Sequence, residues 1–163
     1  MKKLRVGLGV LVALLGLTAL TMAANTAQQT VTYEVTAINE ISVSGDPGNL
    51  VVNTATAGSE PTADTDATTT WAVTTNESSK KMTGSINTAM PANVTLEVNL
   101  TAPTGGSSQG DVTLSDSDAD LVTAISTVAE SGLTITYTLS ATIAAGTVAQ
   151  AQKTVTLTLT DGA

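Results

Sequence analysis

Asn93-Val94-Thr95-Leu96-Glu97-Val98-Asn99-Leu100-Thr101 alternates without a slip, with Val94, Leu96, Val98 and Leu100 on one phase and Asn93, Thr95, Glu97, Asn99 and Thr101 on the other. Successive side chains of a strand point to opposite faces, so this stretch predicts a half-buried β-strand, one face on a core and one in water. Two stretches repeat the pattern. Leu133, Ile135, Tyr137, Leu139, Ala141 and Ile143 stand against Thr134, Thr136, Thr138, Ser140 and Thr142, and Val155, Leu157 and Leu159 stand against Thr154, Thr156, Thr158 and Thr160. Threonine suits the wet phase because its branched carbon favours extended backbone while its hydroxyl tolerates water.

The first half carries weaker signals of the same kind. Val31, Tyr33 and Val35 alternate with Thr30, Thr32, Glu34 and Thr36, and the phase then shifts near Ala37 and Ile38 before Ile41 and Val43, which predicts a bulge or a strand that changes sheets. Asp46-Pro47-Gly48-Asn49 predicts a turn with a left-handed glycine, residues 50–52 a short apolar strand, and residues 58–68 an acidic loop. Trp71, Val73 and Thr75 share one face and Met82, Gly84 and Ile86 another, with residues 76–79 as a hairpin connection between them. Residues 103–110, rich in Gly and Ser, read as a loop. Leu121, Val122, Ile125 and Val128 fall at helical spacing behind acidic starters, so residues 116–128 predict one or two helical turns. The expected fold is all-β, a β-sandwich or jelly-roll-like barrel of roughly seven to nine mainly antiparallel strands with at most one short helix. Phe is absent, so aliphatic side chains must fill the core, joined by Trp71, Tyr33 and Tyr137, which share strand phase with aliphatic neighbours.

Residues 1–23 have the layout of a secretion signal: Lys2, Lys3 and Arg5, an apolar-to-neutral run over residues 6–20, and small Ala23 as a cleavage point. That run is about 15 residues, short of the roughly 20 that a membrane-spanning helix needs. Cleavage is therefore expected, leaving residues 24–163 as one β-sandwich domain that is secreted, extracellular or at the cell surface. Removal of the leader takes three of the six basic residues and none of the fourteen acidic ones, so three lysines face fourteen acids and the charge moves from −8 to −11. Such a surface repels nucleic acid and anionic lipid, and neither is expected as a partner.

With no His and no Cys, the side chains most used for proton shuttling, nucleophilic attack and transition-metal binding are missing, and a non-catalytic role without a cofactor is expected. Asp116, Asp118 and Asp120 have the alternating acidic spacing of a calcium loop. Leu121 and Thr127 stand where an EF-hand wants glycine and a closing carboxylate, so the competing reading is a capped helix start with acids at its positive end. Asn76-Glu77-Ser78, Asn93-Val94-Thr95 and Asn99-Leu100-Thr101 are glycosylation-acceptor triplets.

Single-domain β-proteins guard their edge strands with lysine, proline or inward charge, because unpaired amides and carbonyls accept a foreign strand. Residues 30–43 and 154–160 have little such protection. They pair inside their own domain, or one terminus completes the sheet of a neighbouring copy, and residues 25–43, with Val31, Tyr33 and Val35 as the inserted row, are the better candidate. A leader followed by Val31-Thr32-Tyr33-Glu34-Val35, with an end in Thr154-Val155-Thr156-Leu157-Thr158-Leu159-Thr160, resembles small secreted surface and pilus-type (fimbrial-like) β-sandwich subunits. That resemblance implies assembly through terminal strands. The leading expectation is a structural subunit forming a homo-polymer by β-strand addition; the alternatives are a secreted module binding glycan or calcium and a carboxylate-dependent hydrolase.

Overall fold

The computed structural model describes residues 25–162, so the leader and its cleavage point lie outside the described residues. A division falls between Glu34 and Val35. In the first unit, residues 25–34 belong to no helix or strand. The second unit carries nine strands: β1 (Asn39–Val43), β2 (Asp64–Thr75), β3 (Lys80–Ile86), β4 (Val94–Leu100), β5 (Ser107–Ser108), β6 (Val112–Thr113), β7 (Ala119–Ile125), β8 (Val128–Ala141) and β9 (Val155–Asp161). A single 3-10 turn, Ile143–Ala145, is the one helical element among the described residues.

The strands form two antiparallel sheets in the orders β1-β2-β8-β4-β6 and β5-β7-β3-β9. Their inner faces share one core, in which Trp71 and Val73 of β2, Leu96, Val98 and Leu100 of β4, and Leu133, Ile135 and Tyr137 of β8 meet Met82 and Ile86 of β3 and Leu121, Val122 and Ile125 of β7. The fold is thus the expected all-β sandwich. Its clean alternations fall largely where the sequence puts them, because β4 and β8 pair from Val94 with Ala141 to Leu100 with Ile135 with their aliphatic phases inward, but the second row stops at Ala141: Ile143 opens the 3-10 turn and is exposed.

The helix expected over residues 116–128 is absent; β7 occupies its middle and β8 begins at its end. The helical spacing has a different origin. Against β3, β7 has two register irregularities, one between the pairs Lys80–Ile125 and Met82–Val122 and one between Met82–Val122 and Thr83–Asp120. A bulge turns neighbouring side chains to the same face. Leu121, Val122 and Ile125 therefore all face the core, and Ala124 takes a φ of 57°.

The hairpin expected at residues 76–79 is also absent, since β2 and β3 belong to opposite sheets. This connection crosses the sandwich, and so does the one from β7 to β8. The two crossings are tied together: Thr127 N–H donates to the Glu77 carbonyl at 2.9 Å, and Ser79 N–H donates to Ser126 Oγ at 3.1 Å.

Three smaller expectations change. Residues 50–52 form no strand, although Leu50 packs against the core from a loop. β2 begins at Asp64, inside the expected acidic loop. The left-handed glycine after β1 is Gly45, with φ 146°, and not Gly48. Gly48 serves close approach instead, because a Cβ there would lie 2.8 Å from Asp66 Oδ2.

Candidate functional site

A strand needs a partner edge, and the expected strand at residues 31–35 has not formed one: among the described residues the first strand begins at Asn39. Val31, Tyr33 and Val35 are 76, 89 and 78 % exposed, so Tyr33 is no part of the core. Trp71 and Tyr137 are buried as expected. Alternation alone cannot distinguish a row that faces its own core from one that faces solvent. From Asn25 to Tyr33 the segment carries no charge, and Glu34 is its first ionisable acid.

Just before β1 the chain is held by an amide that imitates a strand neighbour. Asn76 Oδ1 accepts from Ile38 N–H at 2.8 Å, and Asn76 Nδ2 donates to the Thr36 carbonyl at 2.8 Å. The Asn76 N–H adds a bond to the Ile38 carbonyl at 3.3 Å. Asn39 continues the clamp, accepting from the buried Thr75 hydroxyl at 2.8 Å and donating to Glu77 Oε2 at 2.6 Å. Sequence reading places Asn76 in a hairpin connection and in an acceptor triplet; an amide at the end of a strand is its remaining signal.

The sandwich has four edge strands, β1 and β6 in one sheet and β5 and β9 in the other. β5 and β6 are two residues each, β1 five and β9 seven. Along β9, Val155, Leu157 and Leu159 are half-buried and packed against the core, while Thr156 and Thr158 face solvent. No lysine, proline or acid interrupts residues 155–160. The strand ends at Asp161, whose carboxylate pairs with Lys80 Nζ; the same ammonium holds Glu77 Oε2 at 2.7 Å. Lys80 and then Asn39 hold the Glu77 carboxyl below its ordinary range, and Asp161 followed by Glu77 pushes the Lys80 ammonium up.

Asp116, Asp118 and Asp120 are all exposed, and Asp120 Oδ1 pairs with Lys81 Nζ at 2.9 Å. The Ser115 hydroxyl accepts from Ser117 N–H at 3.2 Å, so the segment turns on a serine with no helix behind it. Among the described residues no three acidic side chains gather closely enough to hold a metal ion. The second acidic cluster is spent on backbone amides. Glu60 Oε2 accepts from Ile143 N–H at 2.8 Å, Asp64 Oδ2 from Val51 N–H at 2.7 Å, and Asp66 Oδ1 from Thr68 N–H at 3.1 Å. The Thr68 amide, its hydroxyl and the Gly48 amide lower the Asp66 carboxyl from its usual value.

Of the three acceptor asparagines, Asn76 and Asn93 are exposed and Asn99 is half-buried. Asn99 Nδ2 donates to Asp111 Oδ1 at 2.9 Å, and Asn93 sits in a turn with φ 64°. Two open depressions of about 220 and 140 Å³ lie along β1 and β2; Glu40 is the one ionisable side chain lining either. A hydrolytic pair of carboxylates is not gathered in them. The chain matches no family model, no curated protein and no solved structure.

Proposed function

We propose that this chain is a non-catalytic structural subunit of an extracellular or cell-surface filament, exported by its leader and polymerised by β-strand addition through residues 25–35. One observation carries the reading. Val31, Tyr33 and Val35 form an apolar row on a single strand phase, 76 to 89 % exposed, in a segment without a strand partner among the described residues. Leaving such a row in water costs on the order of 1.5–3 kcal/mol per large side chain relative to burial, so the segment gains by entering another sheet. Strand addition supplies main-chain hydrogen bonds for affinity and pockets for alternate side chains for specificity. Repeated head to tail, the contact does not close, and an open heterologous contact generates a polymer.

The test is to produce the full chain with its leader and examine material recovered outside the cell by negative-stain microscopy. Filaments are expected for the native chain and discrete particles for the Val31→Asp/Tyr33→Asp variant, with the native chain and the variant sharing one circular-dichroism spectrum and one thermal midpoint. Discrete particles from the native chain at every concentration, or undiminished filaments from the variant, would reject the reading.

A further inference from the structure

We propose that the outer edge of β9 is the acceptor, and that residues 31–35 of a second copy lie antiparallel along it, Val31 beside Leu159 and Val35 beside Val155. The inference rests on the strand-addition reading and adds the site that receives the strand.

Length narrows the choice among the four edges. An inserted row of three alternate side chains spans five residues, and β5 and β6 offer two each. On β1 the inward phase is Asn39, Ile41 and Val43, and the Asn39 amide is already committed to Thr75 and Glu77. On β9 the inward phase is Val155, Leu157 and Leu159, three aliphatic side chains at the same two-residue period as Val31, Tyr33 and Val35. All three are only half-buried, so the inner face of this sheet is incompletely covered at its β9 end.

The opposite sheet supports the same placement. β1 is the strand that packs across from β9, and its Ile41 is half-buried while Val43 is 54 % exposed. A strand added outside β9 would turn its own apolar row towards both. It would also bring the four-stranded sheet to the five strands of its partner sheet.

Charge selects the pair and its direction. The chain carries fourteen acids and a net charge of −8, so two copies repel over most of their surfaces. Residues 25–33 and 155–160 are both free of charge, and at those segments copies can approach without that penalty. In the antiparallel orientation Glu34 falls at the end of β9 that follows Lys153, and away from Asp161. The parallel orientation, with Val31 beside Val155, would instead set Glu34 opposite Thr158 and so nearer to Asp161, where Lys80 already balances two carboxylates.

The chain has no cysteine, so paired engineered cysteines report contacts without background. Opposed residues of an antiparallel pair are about 4.5–5.5 Å apart, within the reach of a disulfide. Filaments of the full chain carrying Thr32→Cys with Thr156→Cys, Thr158→Cys or Thr160→Cys would be oxidised and run on non-reducing gels. Parallel reactions would pair Thr32→Cys with Ser42→Cys on β1, Ser107→Cys on β5 and Thr113→Cys on β6. The expected result is a ladder of covalent oligomers strongest for Thr158→Cys, with at least tenfold less product from the other three edges. A ladder from β1, β5 or β6, or filaments with no ladder at any β9 position, overturns the β9 assignment while leaving strand addition standing. Absence of filaments from the unsubstituted chain is instead the failure of the strand-addition reading itself.

Discussion

Trp71 donates its indole N–H to the carbonyl oxygen of Thr101 at 3.1 Å, linking β2 to the residue that follows β4 across the strand between them, β8. It is the single tryptophan and nearly fully buried, so it serves both as the largest core side chain and as a polar tie. Buried indoles characteristically find such a partner for the N–H.

Trp71→Ala should cost about 3–5 kcal/mol, the usual range for emptying a large aromatic site. Trp71→Phe keeps an aromatic ring but gives up the hydrogen bond and some volume, and should cost about 1–3 kcal/mol. Urea denaturation followed by far-UV circular dichroism measures both, and a loss under 1 kcal/mol for the alanine variant would contradict the packing described.

Gly84 is set by contact. A Cβ there would lie 2.6 Å from Leu121 Cδ1 and 3.4 Å from Leu157 Cδ2, and Leu121 is too buried to swing away. Gly84→Ala should destabilise by about 1–3 kcal/mol through overpacking. Adding Leu121→Ala should be less than additive, because the second change opens the space that the first one needs. A double-mutant cycle with no coupling would dismiss the contact.

The pH dependence follows from the ion pairs. Glu77 and Asp66 have lowered carboxyl values, so their contributions are full above the ordinary carboxylate range and disappear as pH falls through the depressed values. Lys80 is raised by Asp161 and Glu77, and Tyr137 by burial and then by the Asp46 charge. Stability from these two is full below their unfolded values, near 10, and is lost as pH rises through the higher folded ones. Thermal midpoints should therefore hold a plateau through neutrality and fall on both sides. Glu77→Gln should flatten the acid limb, and an unchanged limb would detach that carboxylate from stability.

Asn76→Ala removes the acceptor of the Ile38 amide and the donor to the Thr36 carbonyl. The groups are exposed and water can replace the partner, so global stability should fall by only about 1 kcal/mol. Local opening is the more sensitive readout. Hydrogen exchange at the Ile38 amide should quicken by tenfold or more, with the β4 and β8 amides unchanged; equal rates would show that the clamp does not hold the approach to β1.

β4, β9 and residues 133–141 of β8 were legible because each keeps a strict two-residue period, and such a period fits one backbone geometry. β7 was misread because its bulges are a property of its pairing with β3, and they left Leu121, Val122 and Ile125 at a spacing that a helix would also produce. The supposed hairpin after Thr75 had the right residues for a turn, yet turn chemistry does not say whether the strands it joins share a sheet. Val31, Tyr33 and Val35 stand out in the sequence by their alternation, but only their exposure separates a row without a core from a core strand. The Asn76 clamp and the Lys80 junction join residues far apart in the chain, and no local pattern announces them.

By itself the sequence determined the all-β class, the inward phase of the principal strands and the uncharged character of both terminal stretches, since each follows from side-chain period and composition along the chain. Tertiary structure alone decided the division of strands between two sheets, the bulges of β7, the exposure of Val31, Tyr33 and Val35, and the half-buried state of the β9 aliphatic row. The reason is physical: a strand's hydrogen bonds and half of its packing belong to its neighbours, and the identity of those neighbours is a matter of three-dimensional pairing.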